Sequence, residues 1–174
     1  MNILTDIVLD SHISNLITNF VFTRIRDFNF NGNARRFFPL NKKDNKIRGI
    51  IKEYSLECYS NLGIRYINEE PIFGNFVGVN QETGFVHKHT DPKNELGYHH
   101  VRLNFMVQKP NSGGNPVLDG IEYQIQENQS WINIADIWMH GSTPVVGSKN
   151  RIVLSLGNCV PPEDYETILK SLIY

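Results

Sequence analysis

Between Asp10 and Phe20 the chain reads DSHISNLITNF, and Ile13, Leu16, Ile17 and Phe20 recur at the spacing of one helix face. Asp10 or Ser11 is placed to cap that helix. The same period returns in NKIRGIIKEYSLECYSNLG through Ile47, Ile51, Tyr54 and Cys58, with Gly63 as the stop. The intervening Asn- and Arg-rich connection, NARRFFPLNKKDNK, contains Pro39 and reads as a basic, solvated loop. From Ile64 the texture changes to short β-rich runs: IRYI, FGNFVGV, GFVHKHTD, HVRLNFMVQ, PVLDGIEYQI, SWINIADIW and RIVLSLGNCV. Gly, Pro and Asn punctuate them, a pattern that predicts a β-sandwich or barrel. PPEDYETILKSLIY then reads as a final helix opened by Pro162, with acidic residues in its first turn. The reading is one mainly β domain over 1–174: helical support at 1–63, a β core at 64–160 and a C-terminal helix at 161–174.

Composition narrows the class without naming a function. A chain of 174 residues, 40% apolar and 20% charged, is long enough to bury a core. A formal net charge of -1 gives no electrostatic reason to expect a nucleic-acid partner. Cys58 and Cys159 lack metal-site spacing and read as small buried thiols. No basic leader opens MNILTDIVLDSHISN and no apolar run approaches a membrane span, so a cytoplasmic protein is expected, with no membrane partner.

The chemistry gathers in GFVHKHTDPK, where His87, His89 and Asp91 alternate. Side chains two apart on a strand share a face, so imidazole, imidazole and carboxylate point one way while Lys88 and Thr90 point the other. A half-exposed polar strand needs no function to look like this. The pattern becomes informative only with a distant third ligand, because two histidines and a carboxylate hold non-haem iron on one triangular face. His140, bounded by Gly141 and Pro144 in DIWMHGSTPV, is that candidate, although an isolated histidine at a strand end is commonly a hydrogen-bonded surface residue. Arg151 is the single charge in RIVLSLG. A guanidinium turned into a β core requires an anion, either a side chain such as Asp136 or Glu122 or a small dicarboxylate.

In this order, His89-x-Asp91, VRLNF, NSGGNPVL and HGSTPVVGSKNRIVLSL resemble the iron(II)- and 2-oxoglutarate-dependent dioxygenases. The likeness is to the branch of prolyl hydroxylases and aspartyl/asparaginyl β-hydroxylases and covers roughly Phe73 to Pro161. It implies a double-stranded β-helix, a cupin-like jelly roll whose sheets face each other across a cavity. His89, Asp91 and His140 would match the iron ligands, and Arg151 the residue that pairs with the far carboxylate of 2-oxoglutarate. Ser155 could support that carboxylate, Asn104 could reach the chelating end, and Arg102 could bind co-substrate or substrate, or form a structural salt bridge. Iron(II), 2-oxoglutarate and O2 would be required, with ascorbate as reductant. The reaction would hydroxylate a small-molecule or peptidyl amino-acid substrate and release succinate and carbon dioxide. Trp131, Trp138 and Phe105 could wall the cavity, or simply be core. His87, Tyr98 and His100 are candidate substrate contacts, the last two in a polar loop, NELGYHH. Two features depart from the family: Val79 and Asn80 stand near a position where some members carry tyrosine, and Val153 replaces the serine of an arginine-x-serine pattern.

Two other classes fit parts of this pattern. A cupin-like metal protein, or a zinc hydrolase, would use His87, His89 and His140. Glu95 comes late for the cupin motif, and Arg151 would lack a purpose. A non-catalytic binding domain could share the scaffold, since fold does not dictate function.

Overall fold

The computed structural model describes residues 2–41 and 45–172. The first helix, α1 (Ser11–Arg24), begins where the Asp10 carboxylate accepts from the backbone N–H groups of His12 and Ile13. Those donors have no partner inside the first turn, so the cap supplies one. A 3-10 turn over Ile25–Asp27 leads to β1 (Asn29–Phe30) and β2 (Arg35–Pro39). Next come α2 (Asn45–Asn61), ended by Gly63 at φ +67°, and β3 (Phe76–Asn80). After a long excursion β4 (His99–Gln108) follows, then β5 (Ser112–Gly113), β6 (Pro116–Leu118) and β7 (Ile121–Glu122). The chain continues through β8 (Ser130–Ile134), β9 (His140–Ser142), β10 (Val145–Val146) and β11 (Arg151–Val160). A 3-10 turn opened by Pro162 passes into α3 (Tyr165–Lys170).

Six strands form the main antiparallel sheet in the order β1-β2-β3-β11-β4-β8. Its apolar face carries Val77, Val79, Leu103, Phe105, Leu154 and Leu156, which join the helices in one core. Phe20 meets Phe38 edge-on at 5.0 Å, and Tyr54 tilts against Phe105 at 5.7 Å. The opposite face sets polar side chains among aromatic and small apolar ones. Its register rows read Arg35, Asn80, Arg151 and Phe76, Ser155, Asn104, Trp131. A second wall, of β7-β6-β9 and the β10-β5 pair, lies across a cavity from that face. The two walls do not close into a continuous barrel. The mainly β core with flanking helices agrees with the sequence reading. Among the described residues, no helix is long and apolar enough to cross a membrane. Both cysteines are buried and free.

The N-terminal region is not only helical. The basic connection folds as the β1–β2 hairpin, with left-handed backbone at Gly32, Asn33 and Ala34 making its turn. β2 then extends the main sheet along β3. In RRFFP, Phe38 faces the helices while Arg35 and Phe37 turn into the cavity, the alternation of a two-faced strand. Lys42 and Lys43 lie outside the described residues. IRYI, expected as a strand, is an irregular connection whose neighbour Glu69 bridges to Asn158. The C-terminal helix is as expected through Lys170, and residues 173–174 lie outside the description.

Tyr59 ties α2 to the sheet. Its buried hydroxyl accepts from the Leu103 N–H at 3.1 Å and lies 2.8 Å from the Leu156 carbonyl and 3.0 Å from that of Val101. Removing it takes an acceptor from the Leu103 N–H and a donor from the two carbonyls at a buried point of the sheet. Tyr59→Phe is expected to lower the unfolding free energy by about 1–3 kcal/mol, read as a shift in the urea midpoint with far-UV circular dichroism unchanged.

Candidate active site

The extended segment from Thr83 to Asp91 runs beside β9 and β10 without regular ladder pairing. It holds by selected bonds. Ser142 N–H donates to the Val86 carbonyl at 3.0 Å, and His89 and His140 exchange backbone bonds of 2.9 and 2.8 Å. Gly141 permits that approach, since a Cβ there would sit 2.8 Å from the Val86 carbonyl oxygen. His89 and His140 are therefore directly opposed partners and their rings lie on one face, centroids 4.3 Å apart. Asp91, two residues on, shares the face of His89. Its backbone N–H crosses to the Ala135 carbonyl at 2.7 Å, which fixes it at the end of β8.

Period two and this one register bring three donor atoms within 4.8 Å of one another. Asp91 Oδ1 is 3.5 Å from His89 Nε2 and 3.8 Å from His140 Nε2. His89 Nδ1 lies 2.7 Å from the His87 carbonyl and His140 Nδ1 lies 3.0 Å from that of Trp138. A carbonyl oxygen only accepts, so each Nδ1 carries the proton and each neutral ring presents the Nε2 lone pair. Two imidazole nitrogens and a carboxylate oxygen at these separations suit bonds of about 2.0–2.2 Å to one divalent ion. The set occupies one face and would leave further coordination positions open.

Asp91 is held from behind. Its Oδ2 accepts from Arg102 Nε at 3.4 Å, Arg102 Nη1 donates to the Gly74 carbonyl at 3.2 Å, and Arg102 Nη2 pairs with Glu70. The guanidinium also lies over Phe76, 5.1 Å from the ring centroid. Glu70 in turn accepts from the N–H groups of Ile72, Phe73 and Gly74. Gly157 makes room for this pair, because a Cβ there would meet Glu70 Cβ at 3.0 Å and Arg102 Nη1 at 3.1 Å. Burial pushes the Asp91 carboxyl upward, but His89, Arg102 and His140 outweigh it and hold it below its ordinary value. The carboxylate raises His89, whereas burial lowers His140.

Arg151 differs from Arg102. It is 6% exposed, its Nε has no hydrogen-bond partner, and no acidic group pairs with it among the described residues. Asp136 binds His99 and the His100 N–H, while Glu122 accepts from Asn115, so neither serves it. Burial, with Arg35 nearby, lowers its pKa to about 9. The Trp131 ring lies 5.9 Å from its guanidinium carbon. A cavity of about 130 Å³ joins this guanidinium to His89, Asp91 and His140, with Arg35, Phe37, Gly78, Asn80, Asn104, Asn133 and Val153 also on its walls.

The other expected site residues divide. Asn104 lines the cavity, its amide donating to the Arg102 carbonyl at 3.2 Å. Ser155 shares that face, its Oγ fully buried and unpartnered. Of the three aromatics, Trp131 lines the cavity, while Phe105 and Trp138 belong to the core. His87 stands outside the donor cluster, its Nε2 against the Asn33 amide and its ring 4.7 Å from Phe85. That removes a ligand from the cupin-like alternative. His100 is not at a mouth: it is fully buried, 3.8 Å from Glu70. Tyr98 is half-buried and off the cavity wall. Arg35, Asn80 and Asn133 are cavity residues that the sequence reading did not single out as site residues. The alternation of RRFFP was the available signal for Arg35.

No family model matches the chain, and no curated protein matches it by sequence. Solved structures do. The viral collagen prolyl hydroxylase of Paramecium Bursaria Chlorella virus-1, in its 2OG complex, superposes with a TM-score of 0.62 at 12% identity, over 88% of this chain and 91% of that one. A Pseudomonas putida prolyl-4-hydroxylase gives 0.60 at 12% identity, covering 88% of each chain. HygX from Streptomyces hygroscopicus, with nickel, 2-oxoglutarate and hygromycin B bound, gives 0.60 at 9% identity, over 89% of this chain and 80% of its own. At such identities the likeness is one of fold, and the fold is the jelly roll of 2-oxoglutarate oxygenases.

Proposed function

We propose that the protein is an iron(II)- and 2-oxoglutarate-dependent oxygenase that hydroxylates a C–H bond of an amino acid or peptidyl residue. One observation carries this reading: a donor triad and a deeply buried, acid-free guanidinium open into the same cavity. A triad alone would suit many metals and reactions. A buried cation alone would be a costly defect. Together they match the two ends of a small dicarboxylate that chelates an ion at one end. The structural likeness to a prolyl hydroxylase in its 2OG complex and to HygX with 2-oxoglutarate bound supports the same ligand.

In this reading His89, Asp91 and His140 hold the ion, with both imidazoles set by their Nδ1–H bonds. Arg102 keeps the second oxygen of Asp91 engaged, so one carboxylate oxygen faces the ion. Arg151 receives the distal carboxylate as a bidentate partner. Ser155 Oγ, buried beside that row without a partner, gains one from the same carboxylate. Asn104 faces the chelating end. Trp131, Phe76 and Val153 exclude water around the co-substrate, which strengthens each of these contacts. When bound, iron(II) and 2-oxoglutarate supply the oxidative decarboxylation that consumes O2, releases succinate and carbon dioxide, and transfers an oxygen atom to the substrate, with ascorbate maintaining the reduced ion. The chain's own contribution is positioning and exclusion.

The direct test is formation of succinate from 2-oxoglutarate with iron(II) and ascorbate across candidate substrates. His140→Ala and Asp91→Ala are each expected to lower turnover by more than the about 10–100-fold typical of losing a ligand's outer-shell partner. Succinate formation that survives both changes would end the proposal. Arg151→Ala separates the two ends of the pocket. It is expected to weaken 2-oxoglutarate binding by about 2–5 kcal/mol while manganese affinity, followed by electron paramagnetic resonance, stays near the wild-type value. Equal loss of both would make the arginine structural.

A further inference from the structure

Arg35 is the cavity cation that the reading above leaves unused. It rises from β2 next to Asn80, and Asn80 separates it from Arg151 in the sheet register. Among the described residues, the charged side chains that line the cavity are four: Arg35, Asp91, Arg102 and Arg151. Glu70 neutralises Arg102 from behind. If the reading of a 2-oxoglutarate site holds, on which this inference rests, the charges of a divalent ion, Asp91, Arg151 and a dicarboxylate cancel. One positive charge then remains, and Arg35 is its seat. No acidic side chain pairs with it among the described residues. It is half-buried, so its head group is only partly served by water.

The position of Arg35 fits a second ligand. Strand spacing puts its backbone about 10 Å from that of Arg151, two strands away. Asn31 and Phe73, both exposed, and half-buried Phe37 line the same cavity as Arg35. We propose that Arg35 anchors a carboxylate of the substrate to be oxidised, and that this substrate is therefore a small free carboxylic acid of the amino-acid type rather than an internal residue of a polypeptide. Within a chain the α-carboxyl is tied up in an amide, so every residue other than Asp or Glu offers Arg35 no charge. A phosphomonoester would bring about two negative charges and overshoot the single one available. A carboxylate matches the guanidinium fork in both charge and shape.

The experiment uses the full chain with manganese and 2-oxoglutarate bound, and ligand-observed NMR to detect binding without turnover. The probes are the twenty free L-amino acids, each paired with its primary amide. At least one acid is expected to bind at least about tenfold tighter than its amide, a 1.4 kcal/mol difference. That preference should vanish in Arg35→Met and persist in Arg35→Lys, with 2-oxoglutarate affinity in both variants within about twofold of wild type and thermal unfolding unchanged. Absence of any binding acid overturns the proposal, as does acid and amide binding alike. It is equally overturned if Arg35→Met weakens 2-oxoglutarate as much as Arg151→Ala does, because Arg35 would then belong to the co-substrate. Failure of wild-type protein to bind 2-oxoglutarate at all is a separate result: it removes the oxygenase reading, and this inference falls with it.

Discussion

Two backbone hydrogen bonds between His89 and His140 set the register on which the whole cavity depends. Because side chains on extended chain alternate faces, a slip of one residue would turn His89 and Asp91 outward and bring Lys88 and Thr90 in. A donor set would become a cationic wall facing Arg35, Arg102 and Arg151. The segment Thr83–Asp91 lacks a continuous ladder, so this register comes from a set of separate contacts: Thr83 and Gly84 against Val145, Val86 against Ser142, His89 against His140, and Asp91 against the end of β8. Gly141 makes one of those contacts sterically possible. Geometry here is specified by a handful of bonds rather than by a strand.

Three guanidiniums share the inner face, and the chain treats them differently. Arg102 is saturated: Glu70, Asp91 and the Gly74 carbonyl engage it, and two aromatic rings flank it. Such a pair earns little net stability, since desolvation offsets the attraction, but it holds Asp91 in one orientation. Arg151 is given only a ring. Leaving it without an anion costs stability, and so do the unpartnered Ser155 Oγ and Asn80 amide on the same face. The outer face bears that cost. There Ile51, Tyr59, Leu103, Phe105, Leu154 and Leu156 are essentially inaccessible and pack as one core with α1 and α2. Polar strain on one face of a sheet is tolerable because the other face is densely packed, and Asn80, Asn133, Arg151 and Ser155 all carry an unpartnered buried polar atom on the cavity side.

Much of this was legible in the sequence where the signal is local. The Asp10 cap, the faces of α1 and α2, and the Gly63 stop depend on neighbours within a few residues, and each fell where the pattern placed it. The convergence of His89 and Asp91 followed from period two, and the isolation of Arg151 in an apolar strand marked it before any partner was visible. What escaped depended on distant partners. Arg35 was hidden in a basic run because the strand that pairs with it, β3, begins beyond the second helix. Glu70 gave no sign of its role, since its charge is read only once Arg102 arrives from another strand. His100 looked like a loop histidine beside Tyr98, yet it is the second residue of β4 and fully buried. IRYI had strand composition without a strand to pair with.

The placement of β2 changes what the helical N-terminal region is for. A helix pair alone would only cover the apolar face of the sheet. By inserting a hairpin between α1 and α2, the chain adds two strands to the sheet edge, and the inner one, β2, carries Arg35 and Phe37 on the opposite face. The helices therefore position a cavity wall as well as a core. Phe38 packs against Phe20 and Phe28 on one side of β2 while Arg35 faces Asn80 on the other, so the strand is clamped by its own alternation. The Phe20, Phe28 and Phe38 cluster thus packs one face of the strand whose other face lines the cavity. Packing of the outer core and the shape of the inner face meet in this way at a single short strand.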